Sequence, residues 1–207
     1  MTKKYNSVLI IGMGLIGSSI SRALVENHVA NSVYGLDTND KIIKKCHDLN
    51  LLVQGETNLK NFDLQFDLII ICTPLSAYKN IFSSLSDFIS QPTLITDVGS
   101  TKMSTISDFK KTVTNNNITF VPSHPIAGLE KSGPEYGFSK LFDNRYCILT
   151  PYEKNDAATS SITEMWKSIG MTVELMEADR HDRVLAMTSH IPQLIAFSVV
   201  GTATELE

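Results

Sequence analysis

Short apolar runs alternate with longer stretches of helical period through most of the chain. Ser7–Ile11, Ser32–Leu36, Leu68–Thr73, Thr93–Asp97, Ile118–Pro122, Tyr146–Thr150 and Thr172–Glu174 read as strands rich in β-branched residues. Leu68-Ile-Ile-Ile-Cys72 has no polar position, which marks a strand covered on both faces by helical layers. The helical patterns fall between these strands. They are Leu15–Asn27, Asn39–Leu49 with Asn39 as cap, a helix opening after Pro74, Ser100–Val113 and Asn155–Ile169. Repeated alternation of this kind predicts an α/β fold with a doubly wound parallel sheet.

Past Glu177 the pattern changes. Asp179 reads as a helix cap with Asp182 in support, and an apolar stretch from Val184 to Val200 does not return to strand. Pro192 within it predicts a kink or a local end. A helix that is apolar almost all round requires something to bury it. The expected division is an α/β domain over residues 1–176 and the first helix or helices of a helical unit over 177–207. The chain stops in mid-element at Thr204-Glu-Leu-Glu207, so the second unit is expected to be truncated.

Gly12-Met13-Gly14-Leu15-Ile16-Gly17 lies between the first strand and the first helix. Gly12 allows a tight turn, Gly14 lets main chain approach a pyrophosphate, and Gly17 permits close helix–strand packing. A lone motif of this type also fits an ordinary glycine turn, but Asp37 ends the second strand 20 residues after Gly17. A carboxylate there accepts hydrogen bonds from the ribose hydroxyls of a dinucleotide and repels a 2′-phosphate. Thr38-Asn39-Asp40 offer no arginine to offset that repulsion, so NAD is expected over NADP. Thr73 and Pro74, Asp97 to Ser100, and Pro122 to Pro125 reach the same carboxyl edge, where ligands of such sheets bind.

Of the 5 histidines, His124 alone follows a predicted strand into that crevice, where an imidazole suits proton transfer near neutrality. His181 and His190 are nine residues apart and, at ~100° per residue, face opposite sides of a straight helix. They cannot share a metal, and no metal site is expected; solvation or interface hydrogen bonding is their ordinary role. His190 and Gln193 do share a face and can enter a pocket together.

Composition narrows the function classes. The 207 residues carry 18 Lys+Arg against 22 Asp+Glu, a net charge of −4 without basic blocks, which argues against nucleic acid as partner. Hydrophobic residues at 43% exclude a disordered chain. The 3 scattered cysteines read as reduced and cytoplasmic. No signal peptide is apparent, and no apolar run reaches the ~18 residues of a membrane span.

These motifs together resemble the prephenate (or arogenate) dehydrogenases of tyrosine biosynthesis. The resemblance runs from Gly12–Gly17 through Asp97-Val-Gly-Ser-Thr-Lys102, Ser123-His-Pro-Ile-Ala-Gly-Leu-Glu-Lys-Ser-Gly133 and Ile148-Leu-Thr-Pro151. It continues in His181-Asp182 and Ser189-His-Ile-Pro192. It implies a Rossmann domain followed by an all-helical dimerisation domain, hence a homodimer. It also implies NAD-dependent oxidative decarboxylation of prephenate to 4-hydroxyphenylpyruvate. By the same resemblance His124 engages the ring hydroxyl, with Ser100 close to that hydroxyl and the nicotinamide. Glu130 is a carboxylate at the pocket mouth, and His190 belongs to the helix that closes the site. An arogenate or dual-substrate enzyme, or an inactive NAD-binding fragment, are the alternatives. Two departures stand out. Gln193 replaces a histidine common in the family, and the family's substrate-binding arginine, in a motif like F-[RK]-D-F-T-R, has no counterpart here. Arg180 and Arg183 read as solvated or interface charges, so this length of chain is expected to bind NAD with little turnover.

Overall fold

The computed structural model describes residues 4–204; the predicted stop in mid-element and the outer ends of both predicted domains lie outside them. Six parallel strands form the central sheet in the order β3-β2-β1-β4-β5-β6. They are β1 (Tyr5–Ile11), β2 (Ala30–Leu36), β3 (Gln54–Glu56), β4 (Leu68–Ile71), β5 (Thr93–Asp97) and β6 (Ile118–Phe120). Helices α1 (Leu15–Glu26), α2 (Asp40–Asp48), α3 (Tyr78–Phe88) and α4 (Met103–Thr112) connect them. This is the doubly wound order, with its reversal between β1 and β4. All four residues of β4 are buried, as its unbroken apolar sequence requires. Asn39 caps α2 through its side chain, which accepts from the Lys41 N–H.

Two aliphatic and aromatic clusters fill the two faces of the sheet. Val8, Ile10, Leu24, Leu68 and Ile70 belong to one, and Leu9, Ile69, Ile71, Phe82 and Phe109 to the other. Neighbouring residues of β1 and β4 therefore point to opposite cores, as the two-residue period of a strand demands.

The chain leaves this sheet after Phe120, two residues earlier than the sequence pattern predicts, and enters a second sheet of three strands. Here β7 (Ser123–Pro125) runs antiparallel to β8 (Tyr146–Leu149), which is parallel to β9 (Thr172–Leu175). His124 is thus a strand residue, paired with Ile148. Helix α5 (Asp156–Ser168) covers this sheet with the wholly buried Trp166.

Helix α6 (Ala178–Leu185) starts without a side-chain cap, so Asp179 does not cap it and instead pairs with Arg183 on its exposed face. A π-helical turn, Ala186–His190, joins α6 to α7 (Ile191–Thr204). Pro192 neither ends the helix nor breaks it. Its ring cannot donate and crowds the carbonyl four residues back, and the wider π-turn just before it relieves that crowding. The run Ala178–Thr202 is long and apolar enough, by length and composition, to cross a membrane. Leu194, Ile195, Phe197 and Val199 are exposed on it.

Candidate active site

The glycine turn after β1 shapes the first cleft. Gly12 adopts φ +94°, and a Cβ there would stand 2.7 Å from the Cys72 carbonyl oxygen. A Cβ on Gly17 would fall 2.1 Å from the Gly12 carbonyl oxygen, so α1 crosses the turn this closely only with glycine. A Cβ on Gly14 would meet nothing within 4 Å, which leaves an open face of main chain. No side chain caps α1. Its first-turn N–H groups and its positive dipole end are therefore free to receive an anion. The side chains of Met13 and Leu15 are buried and Ile16 packs on the same core, so this segment can offer a ligand only its backbone.

Asp37 closes the turn. Its Oδ2 accepts from the Met13 N–H at 2.9 Å and its Oδ1 from the Asn39 N–H at 3.0 Å. The cleft, about 990 Å³, is bounded by Gly12, Gly14, Asp37, Thr38, Thr73 and Pro74. It runs on along α3 past Asn58 and Lys60, so a cation from the β3–β4 connection joins this end. A backbone anion site with a carboxylate beside it at the edge of the glycine turn fits a dinucleotide.

A second cleft of about 540 Å³ is lined by Ser100, His124, Arg145, Ser189, His190 and Gln193. The structure thus gathers four residues singled out in the sequence. Glu130 is not among the lining residues. It is exposed on the loop two positions beyond Gly128, which does line the cleft. Arg145, which no sequence motif distinguishes, brings a guanidinium to the cleft from the residue just before β8, whereas Arg180 and Arg183 are exposed on α6.

A buried polar cluster beneath this cleft holds Ser100 and His124 in register. Asp97, at the end of β5, receives Lys102 Nζ at 2.6 Å, Tyr78 OH at 3.1 Å and the Gly99 N–H at 2.9 Å on Oδ2. Its Oδ1 receives the Ser123 N–H at 3.0 Å. Lys102 Nζ also donates to the Ser123 carbonyl at 2.7 Å, and both charged side chains are wholly buried. Trp166 Nε1 donates to Ser123 Oγ at 3.1 Å from below. The loop carrying Ser100 and the strand carrying His124 are thereby tied to one ion pair. Burial pushes the Lys102 amine down from its ordinary value.

His124 meets a partner that sequence reasoning missed. Its Nδ1 lies 3.0 Å from Nε2 of His181, whose Nδ1 lies 2.8 Å from Oδ1 of Asp182. His181 is wholly buried, not solvated. Burial first, then the nearby Lys102, His181 and His190, push the His124 imidazole down to about 3. Burial also lowers His181, against its hydrogen bond to the Asp182 carboxylate. His181 and His190 both approach His124 although a straight helix would set them on opposite sides. The π-turn between them has fewer degrees per residue and brings the second histidine round. Among the described residues no group of three His, Cys, Asp or Glu side chains is placed to hold a metal.

Residues 20–175 match the family model described as prephenate dehydrogenase, nucleotide-binding domain. Cyclohexadienyl dehydrogenase of Zymomonas mobilis is 34% identical over 98% of this chain and 69% of its own length. Prephenate dehydrogenase of Bacillus subtilis is 31% identical over 97% of this chain, which spans about half of it, 54%. The solved structure of Aquifex aeolicus prephenate dehydrogenase in complex with hydroxyphenyl propionate and NAD+ superposes with a TM-score of 0.90. It is 33% identical, with 98% of this chain and 70% of that one covered. On the matched span, these identities and the two clefts, the chain belongs to the prephenate dehydrogenase family of NAD-dependent oxidoreductases.

Proposed function

We propose that this protein oxidises and decarboxylates prephenate with NAD, giving 4-hydroxyphenylpyruvate, CO2 and NADH. The observation that carries the reading is His124, neutral at pH 7, facing a cleft with Ser100, Arg145 and His190 beside a cleft suited to a dinucleotide. When bound, NAD supplies the hydride acceptor. Gly14 and the α1 N-terminus would hold its pyrophosphate through main-chain N–H groups, on the turn that Gly12 makes with its own N–H given to the Leu36 carbonyl, and Asp37 would receive ribose hydroxyls in preference to a 2′-phosphate. Thr73 and Pro74 border the same cleft.

In this reading His124 takes the ring-hydroxyl proton as the C4 hydride departs, and Ser100 orients that hydroxyl. Loss of the ring carboxylate as CO2 leaves an aromatic ring, so the protein chiefly positions the substrate and accepts one proton. Arg145 offers a carboxylate the planar fork of donors that a dicarboxylate substrate needs. His190 and Gln193 contact the substrate side chain, and Glu130 stands near the mouth. We assign residues 1–176 to the nucleotide-binding domain and 177–207 to the start of a helical domain. That domain covers the apolar side of α7 in a soluble, cytoplasmic homodimer.

The reading is tested by following NADH when protein saturated with NAD is mixed with prephenate or arogenate. The assay is run on the 207-residue chain and on a chain extended to its relatives' length. NADH formation with prephenate in the extended chain, matched by CO2 release, is the expected result, with little from the 207-residue chain. NADH with arogenate alone would move the assignment to that substrate, and no NADH from either in the extended chain would remove it.

A further inference from the structure

The chain Asp182–His181–His124 has a direction. Asp182 Oδ1 lies 2.8 Å from His181 Nδ1 and accepts the main-chain N–H of Lys102 at 2.7 Å, while its Oδ2 accepts that of Met103 at 2.9 Å. With both donors of the α4 N-terminus seated on it, the carboxylate stays ionised and can only accept. Although burial opposes ionisation, the N–H groups of Met103 and Lys102 hold its carboxyl below the usual value. A neutral imidazole has one donor and one acceptor nitrogen. His181 therefore carries its proton on Nδ1, toward Asp182, and turns a bare Nε2 toward His124. The 3.0 Å contact then requires His124 to donate from Nδ1, which leaves its Nε2 with a lone pair on the side chain that lines the cleft.

We propose that His181 and Asp182 are positioning residues: seated by Asp182 on the N-terminus of α4, they hold His124 in the tautomer that presents an unprotonated Nε2 to the substrate hydroxyl. Resting on the dehydrogenase reading, this adds a condition to it. The base is competent only while α6 is docked, because the carboxylate that orients the histidines is the same one that caps α4. The charged and titratable groups around His124 are Lys102 from the β5–α4 loop, His181 and Asp182 from α6, His190 from the π-turn, and Arg145, which lines the same cleft from the residue before β8. Among the described residues, His181, itself bonded to Asp182, makes the directional contact with the ring.

The test labels the histidines of this chain with 15N and reads, from long-range proton–nitrogen correlations near pH 7, which ring nitrogen bears hydrogen. His124 and His181 should both be protonated on Nδ1. His181→Gln should preserve that state in His124, since its amide N–H faces Asp182 and its carbonyl faces His124. His181→Leu fills the buried space without an acceptor and should release His124 from the Nδ1–H form. Where the extended chain turns over, His181→Leu should lower kcat by about 10²–10⁴-fold with little change in KM, and His181→Gln should restore most of it. A wild-type His124 protonated on Nε2, or a tautomer unchanged in a folded His181→Leu, overturns the proposal. Tautomers that follow this pattern in a protein forming no NADH would leave the relay standing and sink the dehydrogenase reading instead.

Discussion

The glycine-turn end of the dinucleotide cleft is walled by main chain, whereas the histidine cleft is walled by side chains from separate elements. In the first, glycines at positions 12, 14 and 17 set the turn, the open face and the helix approach, and one carboxylate closes it. In the second, His124 depends on Ser123 beneath it, on the Asp97–Lys102 pair beside it and on His181 across from it. A backbone site is fixed by local geometry and has no proton to lose. A site made of buried ionisable groups can hold a base away from its solution behaviour, but only while every partner stays in place. Coenzyme binding and catalysis should therefore fail separately.

The largest expected effect is in the second region. Lys102→Met leaves the Asp97 carboxylate buried without its cation and should cost about 3–5 kcal/mol in urea unfolding, with Asp97→Asn/Lys102→Met recovering a substantial part. Equal losses in the single and double variants would show that the pair does not act as a unit. Arg145→Gln removes a charge-assisted contact of roughly 1.5–3 kcal/mol, so KM for prephenate should rise by about ten- to a hundredfold while calorimetric NAD affinity holds. Unchanged KM would take Arg145 off the substrate.

In the first region two glycines should part company. Gly17→Ala forces a methyl group against main chain and should cost at least the ~1–3 kcal/mol typical of overpacking. Gly14→Ala should leave stability within about ±0.5 kcal/mol yet weaken NAD, because its methyl group projects where the pyrophosphate sits. Equal effects on folding would contradict the open face at Gly14.

A pH profile sharpens the contrast further. His124 is held down to about 3 in the fold, against an ordinary value near 6.5 when unfolded. Between these values the unfolded chain binds a proton that the folded chain does not, so stability is full above pH 6.5 and is lost progressively as pH falls toward 3. The lowered His181 adds in the same direction. His124→Asn should flatten that dependence in urea unfolding, while NAD affinity stays level from pH 6 to 8 in both proteins.

How far each region was readable in the sequence follows from the same difference. The glycine turn is local: six consecutive residues and Asp37 report its geometry, and the continuous apolar β4 reports the buried sheet. Strand β3 escaped because Gln54-Gly-Glu56 has no apolar pattern, and β7 because three residues ending in Pro125 read as a loop. The histidine relay joins residues 57 positions apart, and His-Asp near a helix start looks like a solvated helix end. Asp182 was read as support for its own helix when it caps α4. Arg145 carried no signal because nothing local says that β8 opens beside the cleft. Pro192 was a usable clue, since a proline inside a continuing helix calls for a widened turn before it.

The central claim, that one cleft holds NAD and the other performs proton transfer, is tested most directly by His124→Asn in the chain extended to its relatives' length. Steady-state NADH formation from prephenate and calorimetric NAD titration should be measured on the same preparation. A fall in kcat of about 10²–10⁴-fold with an NAD Kd near that of the wild type is the predicted result. A variant that keeps more than about a tenth of kcat, or one that loses NAD affinity in parallel with turnover, would contradict it.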